Sequence, residues 1–239
     1  NGGKYQGRFL GTLGDAGIFS FQHYKVITAG EGGMVITSDR GVYARSAVAH
    51  DSAMHFWDHG FKVKAFAGEN FRMDDVHGAI GLVQLGRLKG ILSATRRIKA
   101  RILAQVRGVP GLELQDVPDA KGDCGISVVF LLGDAPRAKH FAALLGSLGV
   151  NAGTIWNKGI PDRHIYTAWD YVLRKDSGDR TGHPWACPLY KGKVSYHHDM
   201  CPRTLDILGQ SVSIYLHQKL SLRHADQIAA AVRWAASQV

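Results

Sequence analysis

The sequence predicts a mixed α/β fold, on three observations. Runs rich in aromatic and β-branched residues at 16–22, 33–38, 126–132 and 211–217 read as strands. Stretches with apolar residues three and four apart, at 40–50, from Met73 onward, at 136–148 and at 222–238, read as helices. Glycine clusters and polar segments separate the two kinds of run, without an internal repeat or a low-complexity tract.

Residues 16–22 (Ala-Gly-Ile-Phe-Ser-Phe-Gln) follow a glycine-rich stretch and lead into the polar His23-Tyr24-Lys25. Gly30-Glu31-Gly32-Gly33 then permits a tight reversal or positive φ before the second strand. Asp39 is placed as the N-cap of the helix from Arg40 to about His50. An aromatic and His-rich loop follows, and Met73-Asp74-Asp75 opens a long amphipathic helix. Val76, Ile80, Val83, Leu85 and Leu88 lie at helical spacing, and after a break near Gly90 the pattern continues through Ile91, Ile98 and Ile102. Such an element suits the link between a larger and a smaller domain. Beyond it come the strand at 126–132, a helix carrying Phe141, Leu144 and Leu145 and stopped by Gly149, and an irregular His-, Trp-, Tyr- and Pro-rich stretch at 151–203. The strand at 211–217 and a closing helix with Ala225, Ile228, Val232 and Ala235 complete the chain.

The bulk numbers narrow the class. A composition 45% hydrophobic and 21% charged is that of an ordinary globular protein. No run approaches the roughly 20 apolar residues of a membrane span, and the polar opening residues do not read as a secretory signal. Three widely spaced cysteines (Cys124, Cys187, Cys201) make no disulfide framework, so a reducing, cytoplasmic setting is expected. The net charge of +9 raises the question of nucleic acid. Its only dense run, Arg96, Arg97, Lys99 and Arg101, falls on a helix and reads as a solvated face. No helix-turn-helix, zinc-finger or RNA-recognition pattern accompanies it, so no nucleic-acid partner is expected. Phosphates and sugar acids explain a basic surface equally well.

One segment carries chemistry. From Gly14-Asp15 through Ser20 and Lys25 to Gly30-Glu31-Gly32-Gly33, a single lysine stands between a strand and a glycine-rich turn, five residues after a serine. A lysine forms a Schiff base when burial or a cationic neighbour lowers its pKa. A serine hydroxyl donates to phosphate, and glycines let a bulky aromatic cofactor approach the backbone. By spacing alone, a solvated surface lysine explains the residue as well.

The segment resembles the sugar aminotransferases of the DegT/DnrJ/EryC1/StrS family, which read approximately Gly-Asp-x-Gly-x-[Phe/Tyr]-Ser-Phe-x-x-x-Lys-x-x-x-x-Gly-Glu-Gly-Gly. Every fixed position is matched. Residues 68–81 (Gly-Glu-Asn-Phe-Arg-Met-Asp-Asp-Val-His-Gly-Ala-Ile-Gly) resemble a second family motif, Gly-x-Asn-[Phe/Tyr]-Arg-[Met/Leu] running into a helix. Read by itself, Asn70 is a loop residue near a helix start and Arg72 a salt-bridge partner. The resemblance implies a pyridoxal 5'-phosphate (PLP)-dependent aminotransferase. Residues 1–95 would be the C-terminal part of its large cofactor-binding domain, a mostly parallel sheet with flanking helices. Residues 96–239 would be a smaller α+β domain. It implies Lys25 as the Schiff-base lysine and proton shuttle, Ser20 as a phosphate ligand, and Asn70 reaching the cofactor of the neighbouring subunit in a homodimer. The expected reaction moves an amino group from an amino acid, glutamate most often in this family, to a keto- or aldehyde-sugar. Nucleotide-linked deoxysugars are the default, with an octulosonate or cyclitol acceptor suggested by Ser20-Phe21-Gln22-His23-Tyr24-Lys25 and Cys201-Pro202. Cell-surface polysaccharide (lipopolysaccharide) or secondary-metabolite synthesis is the matching setting. Relatives that carry histidine in place of the lysine perform dehydration, a branch Lys25 argues against despite His23 close by. A non-catalytic paralogue is the other alternative.

Further candidates are weaker. His183, Cys187, His197, His198 and Cys201 can be drawn as a zinc site, but their spacing fits no standard ligand pattern, so no metal is expected. Trp156, Trp169, Tyr171, Trp185, Tyr190 and Tyr196 suit packing better than sugar stacking. His50, Asp51 and His55 lie in the segment between the two motifs, within reach of a substrate. The family's pyridine-pairing carboxylate lies in a Glu-Asp-x-Ala-x-Ala stretch upstream of Asn1, as do its stacking aromatic and phosphate-cradling helix. The chain opens without methionine in a loop and is therefore read as the C-terminal portion of such an enzyme. These 239 residues alone are expected to bind PLP poorly or not at all. Absorption spectroscopy checks this: a strong band of a protonated Schiff base in the purified chain would contradict it.

Overall fold

The structure is a computed structural model that describes residues 1–51, 53–54, 60, 62–64, 66–155 and 162–239. The chain divides into two compact units. The first holds Asn1–Ala100, Asp116–Ile126 and Leu216–Ser221, and the second Arg101–Gln115, Ser127–Tyr215 and Leu222–Val239.

In the first unit, β1 (Lys4–Tyr5) and β2 (Arg8–Phe9) pair antiparallel around Gln6 and Gly7. Both of those residues have positive φ, as a type I′ hairpin requires. The strands β3 (Ala16–Ser20) and β4 (Gly33–Thr37) form a second antiparallel pair, in which Ser20 faces Gly33. Asp39 caps α1 (Arg40–His50) as expected, its carboxylate accepting from Gly41 and Val42 N–H at 2.7 and 2.9 Å. The long helix is α2 (Asp75–Val106), 32 residues and about 48 Å without interruption. The expected break at Gly90 is absent. The penalty of one helical glycine is about 1 kcal/mol, and burial of the adjoining Ile91 and Leu92 offsets it.

The two halves of α2 differ. Ile91, Leu92, Thr95, Ile98, Ile102 and Val106 form a buried stripe, whereas Val76, Ile80, Leu82, Val83 and Leu85 are exposed. The apolar face read from the sequence is present but uncovered at its start. The basic run is tied down in part, although Arg97 and Arg101 are exposed. Arg96 Nε donates to Asp123 O at 2.6 Å, Lys99 pairs with Asp123 at 2.5 Å, and Arg101 makes a two-point contact with Asp226 at 2.7 and 3.1 Å.

The second unit is built on one sheet, in the order β5 (Glu113–Leu114), β6 (Ser127–Leu131), β8 (Ser211–Tyr215), β7 (Ala152–Gly153). Val128 lies opposite Ile214 and Phe130 opposite Val212, and all four are buried, so one face of the central pair is core. Helices α3 (Ala135–Ser147) and α6 (Leu222–Ala236) pack in this unit, through Ala138, Phe141 and Leu145 of α3 and Ala225, Ala229 and Val232 of α6. Asp134 caps α3 through Arg137 N–H at 2.8 Å. A short helix, α4 (Asp170–Leu173), interrupts the irregular stretch, and α5 (Pro202–Gly209) closes it. Every ladder between named strands is antiparallel, so the parallel sheet implied for the large domain is not among the described strands. Among the described residues no helix is long and apolar enough to cross a membrane.

Phe130 and Phe141 meet edge to face at 5.9 Å and are fully buried, anchoring α3 to the sheet. Phe141→Ala is expected to destabilise the protein by about 3–5 kcal/mol in urea unfolding. Leu189→Ala, at a site 88% exposed, is expected to change stability by less than about 0.5 kcal/mol.

Candidate active site

Lys25 sits in a loop whose two ends are closed by Phe21. The Phe21 carbonyl accepts from Ala29 N–H at 2.9 Å and from Thr28 Oγ1 at 3.1 Å, while Phe21 N–H donates to Gly32 O at 2.9 Å. Ile27 and Ala29 are buried and pin the returning strand of the loop. Lys25 N–H donates to Gln22 O, and His23, Tyr24 and Lys25 are all exposed. The fold therefore displays the Lys25 amine on a short, tied loop, and its ammonium forms no ion pair among the described residues. Ser20 ends β3 on the same loop. Its Oγ accepts from Gln22 N–H at 3.3 Å, which leaves the hydroxyl proton available for a ligand.

The glycine-rich return of this loop lies directly on the start of α2. A methyl group at Gly32 (φ 125°) would stand 2.3 Å from Met73 Sδ, and one at Gly30 (φ 93°) 3.4 Å from the His77 ring. The two sequence motifs are thus packed on each other, and the absence of Cβ at Gly32 allows it. Asp74 caps α2 by accepting His77 N–H at 2.9 Å, and its other oxygen accepts from His77 Nδ1 at 2.7 Å. The His77 backbone N–H first, and then its ring, hold the Asp74 carboxyl below the usual carboxylate range.

Asn70 is carried separately, on an extended segment laid along the end of α1. Glu69 N–H donates to Ala49 O at 3.0 Å and Phe71 N–H to His50 O at 2.8 Å, with Asn70 opposite Asp51 in an antiparallel bridge. Gly68 is required for that approach, since a Cβ there would fall 2.3 Å from Val48 O. No described hydrogen bond joins Asn70 to Ser20 or Lys25. The structure thus carries Ser20 and Lys25 on one loop and places Asn70 on its own exposed support.

His50 and Asp51 are structural neighbours of Asn70. His50 Nδ1 bonds Ala47 O at 2.7 Å, and the buried Asp51 lies 3.8 Å from Arg72 Nη1. Asp51 is the partner that the sequence alone did not supply for Arg72. The His77–Asp74 pair was also missed, although the Asp-x-x-His spacing at a helix start could have signalled it. Among the described residues no group of three or more His, Cys, Asp and Glu is arranged to hold a metal. His197 pairs with Asp199 at 2.7 Å, and the Tyr166 hydroxyl joins His198 O to Cys201 N–H. His55 and Trp156 lie outside the described residues. Trp169 donates Nε1–H to Arg163 O at 2.7 Å, and Tyr171 and Tyr190 are exposed.

The family model of the DegT/DnrJ/EryC1/StrS aminotransferases matches residues 1–174. The chain belongs to this family. GDP-perosamine synthase of Escherichia coli O157:H7 is 40% identical over 102 residues, which is 41% of this chain and 26% of that protein. Among solved structures, the aminotransferase TlmJ of Streptoalloteichus hindustanus superposes with a TM-score of 0.69 at 24% identity, covering 97% of this chain and 55% of TlmJ. GDP-4-keto-6-deoxy-D-mannose-3-dehydratase of E. coli, solved with bound hydrated PLP, gives a TM-score of 0.67 at 19% identity, covering 97% of this chain and 57% of that one. At such identities these structures establish the shared fold, which is mixed α/β as expected. The chain spans little more than half the length of either solved relative.

Gly32→Ala is expected to destabilise the first unit by about 1–3 kcal/mol, from an unfavourable φ and the Met73 contact, read as a lowered urea midpoint. Asp74 has a folded pKa below its unfolded value, so its stabilisation is full above the ordinary carboxylate pKa. It is lost as pH falls through the lowered value. In an NMR titration the α2 start is expected to fray only in that acid range, and Asp74→Asn to remove the dependence.

Proposed function

We propose that this chain is the C-terminal portion of a PLP-dependent enzyme that transfers an amino group from an amino acid, glutamate first among candidates, to a keto- or aldehyde-sugar. Residues 1–95 are assigned to the cofactor-binding large domain and residues 96–239 to the small domain. The observation that carries this reading is the packing of the two motifs on each other. The Lys25–Gly33 loop and the α2 start meet through Gly30 and Gly32, in a family that is known for this chemistry.

The residues present fit such a cofactor. Lys25 offers an exposed amine on a tied loop, Ser20 an undonated hydroxyl proton, and Asn70 an amide on a separate exposed segment. Lys25 would hold PLP covalently. Ser20 and, from the second subunit of a homodimer, Asn70 would donate to its phosphate. PLP when bound supplies an electron sink for the donor's Cα. Lys25, once released, carries the proton between that Cα and C4′ of the cofactor, and the same amine serves the return half-reaction with the sugar carbonyl. An amine does this work only when neutral, so the desolvating cover is assigned to the rest of the large domain and to the second subunit. The uncovered apolar residues at the start of α2, with Ile18 and Phe71, support such a cover, because a patch of this kind marks an interaction surface.

The acceptor is assigned to nucleotide-linked deoxysugars, with octulosonates as the second class. The work of the enzyme is placed in the cytoplasm, in the supply of amino sugars for surface polysaccharide (lipopolysaccharide) or secondary metabolites. A dehydratase is the alternative reading, since two superposing structures bear that name, but Lys25 stands where that branch is expected to carry histidine. On the product of the whole coding sequence, borohydride after PLP is expected to fix a phosphopyridoxyl group on the Lys25 peptide. Glutamate and a nucleotide-linked keto sugar should yield 2-oxoglutarate and an amino sugar. Lys25→Ala is expected to lower kcat by about 10²–10⁴-fold or more. A deoxygenated sugar without nitrogen as the product would sink the aminotransferase reading.

A further inference from the structure

Asn70 is exposed, yet its side chain is held. Its Oδ1 accepts from Arg72 N–H at 3.4 Å and from Arg72 Nε–H at 3.2 Å. Both of these groups donate and neither accepts, so the atom that faces them is the carbonyl oxygen and not the NH2. Behind Arg72, Asp51 lies 3.8 Å from Nη1 and is itself nearly buried, with its other oxygen taken by Ala53 N–H at 2.9 Å. The backbone beneath is fixed too, by the Glu69 and Phe71 bonds to the end of α1 and by the close approach at Gly68. A chain thus runs from a buried carboxylate through a guanidinium to one amide oxygen. Among the described residues none accepts from Asn70 Nδ2.

We infer that Arg72, backed by Asp51, is a positioning residue that sets the Asn70 amide with its NH2 presented to a phosphate oxygen. The inference rests on the reading of Asn70 as a phosphate ligand. Its physical content is a choice between two amide orientations. With Oδ1 occupied by Arg72, the amide offers two donors to an anion. Turned over, it would offer a carbonyl dipole of the wrong sign, and Arg72 would face an NH2 that cannot accept. Lysine keeps a cation for Asp51 but has no Nε–H in a planar fork, so Arg72→Lys removes the shorter of the two bonds to Oδ1, leaving the 3.4 Å backbone N–H contact, without removing the charge.

Two measurements test this. In the 239-residue chain, the Asn70 side-chain amide, assigned by its loss in Asn70→Ala, is expected to be ordered by ¹⁵N relaxation and to loosen in Arg72→Lys and Arg72→Ala. An amide equally ordered in both variants would overturn the proposal. In the product of the whole coding sequence, pyridoxamine 5'-phosphate affinity is expected to fall about ten- to a hundredfold in Asn70→Ala, with a similar loss in Arg72→Lys. The double variant should be no weaker than Asn70→Ala, while pyridoxamine without phosphate binds all forms alike. Additive losses would overturn the positioning role. An unchanged affinity in Asn70→Ala would overturn the phosphate reading, and with it the purpose assigned to Arg72, whatever the relaxation data show of the hold itself.

Discussion

The contact of a bare glycine turn with the segment that opens α2 bears on where Lys25 and Ser20 stand. A Cβ at Gly32 would push the Met73 thioether aside and would stand at a positive φ, and Gly30 lies against the His77 ring. Asp74 reinforces the same point by capping the helix and holding that ring. The loop that presents Lys25 is closed on Phe21 and anchored by Ile27 and Ala29, so its position follows from this contact. Ser20 is carried along as the last residue of β3.

Asn70 obeys a different constraint. Its segment is fastened to the end of α1, and its amide orientation is fixed by a donor pair on Arg72. Ser20 and Asn70 are therefore mounted on separate supports, the arrangement that the proposed sharing of a phosphate site between subunits calls for. Each support uses one glycine at a close approach, Gly32 in the first case and Gly68 in the second.

Much of this was legible in the sequence, for physical reasons. β3, β4, β6 and β8 and the helices α1, α3 and α6 follow periodic patterns with local caps, and a local signal survives folding. β5 and β7, two residues each, are strands only because a neighbour pairs with them. The basic run at 96–101 read as solvated because its partners, Asp123 and Asp226, lie far away along the chain. Asp51 was hidden behind Arg72 for the same reason, their approach depending on the bridge between residues 51 and 70. The family motif placed Lys25, Ser20 and Asn70 on the chain, but only the coordinates show which atom of Asn70 is already spoken for.

The unbroken course of α2 has an evolutionary corollary. Val76 and Val83 belong to an uncovered stripe and Ile91 and Ile98 to a buried one, on a single rigid rod. Each residue advances the helix by about 100°, so inserting or deleting one residue between Leu85 and Ile91 would swing one stripe relative to the other by that angle. A change of length in this stretch would thus disturb the relation between the two stripes. The glycines at 86 and 90 tolerate substitution in open space, whereas the count of residues around them does not.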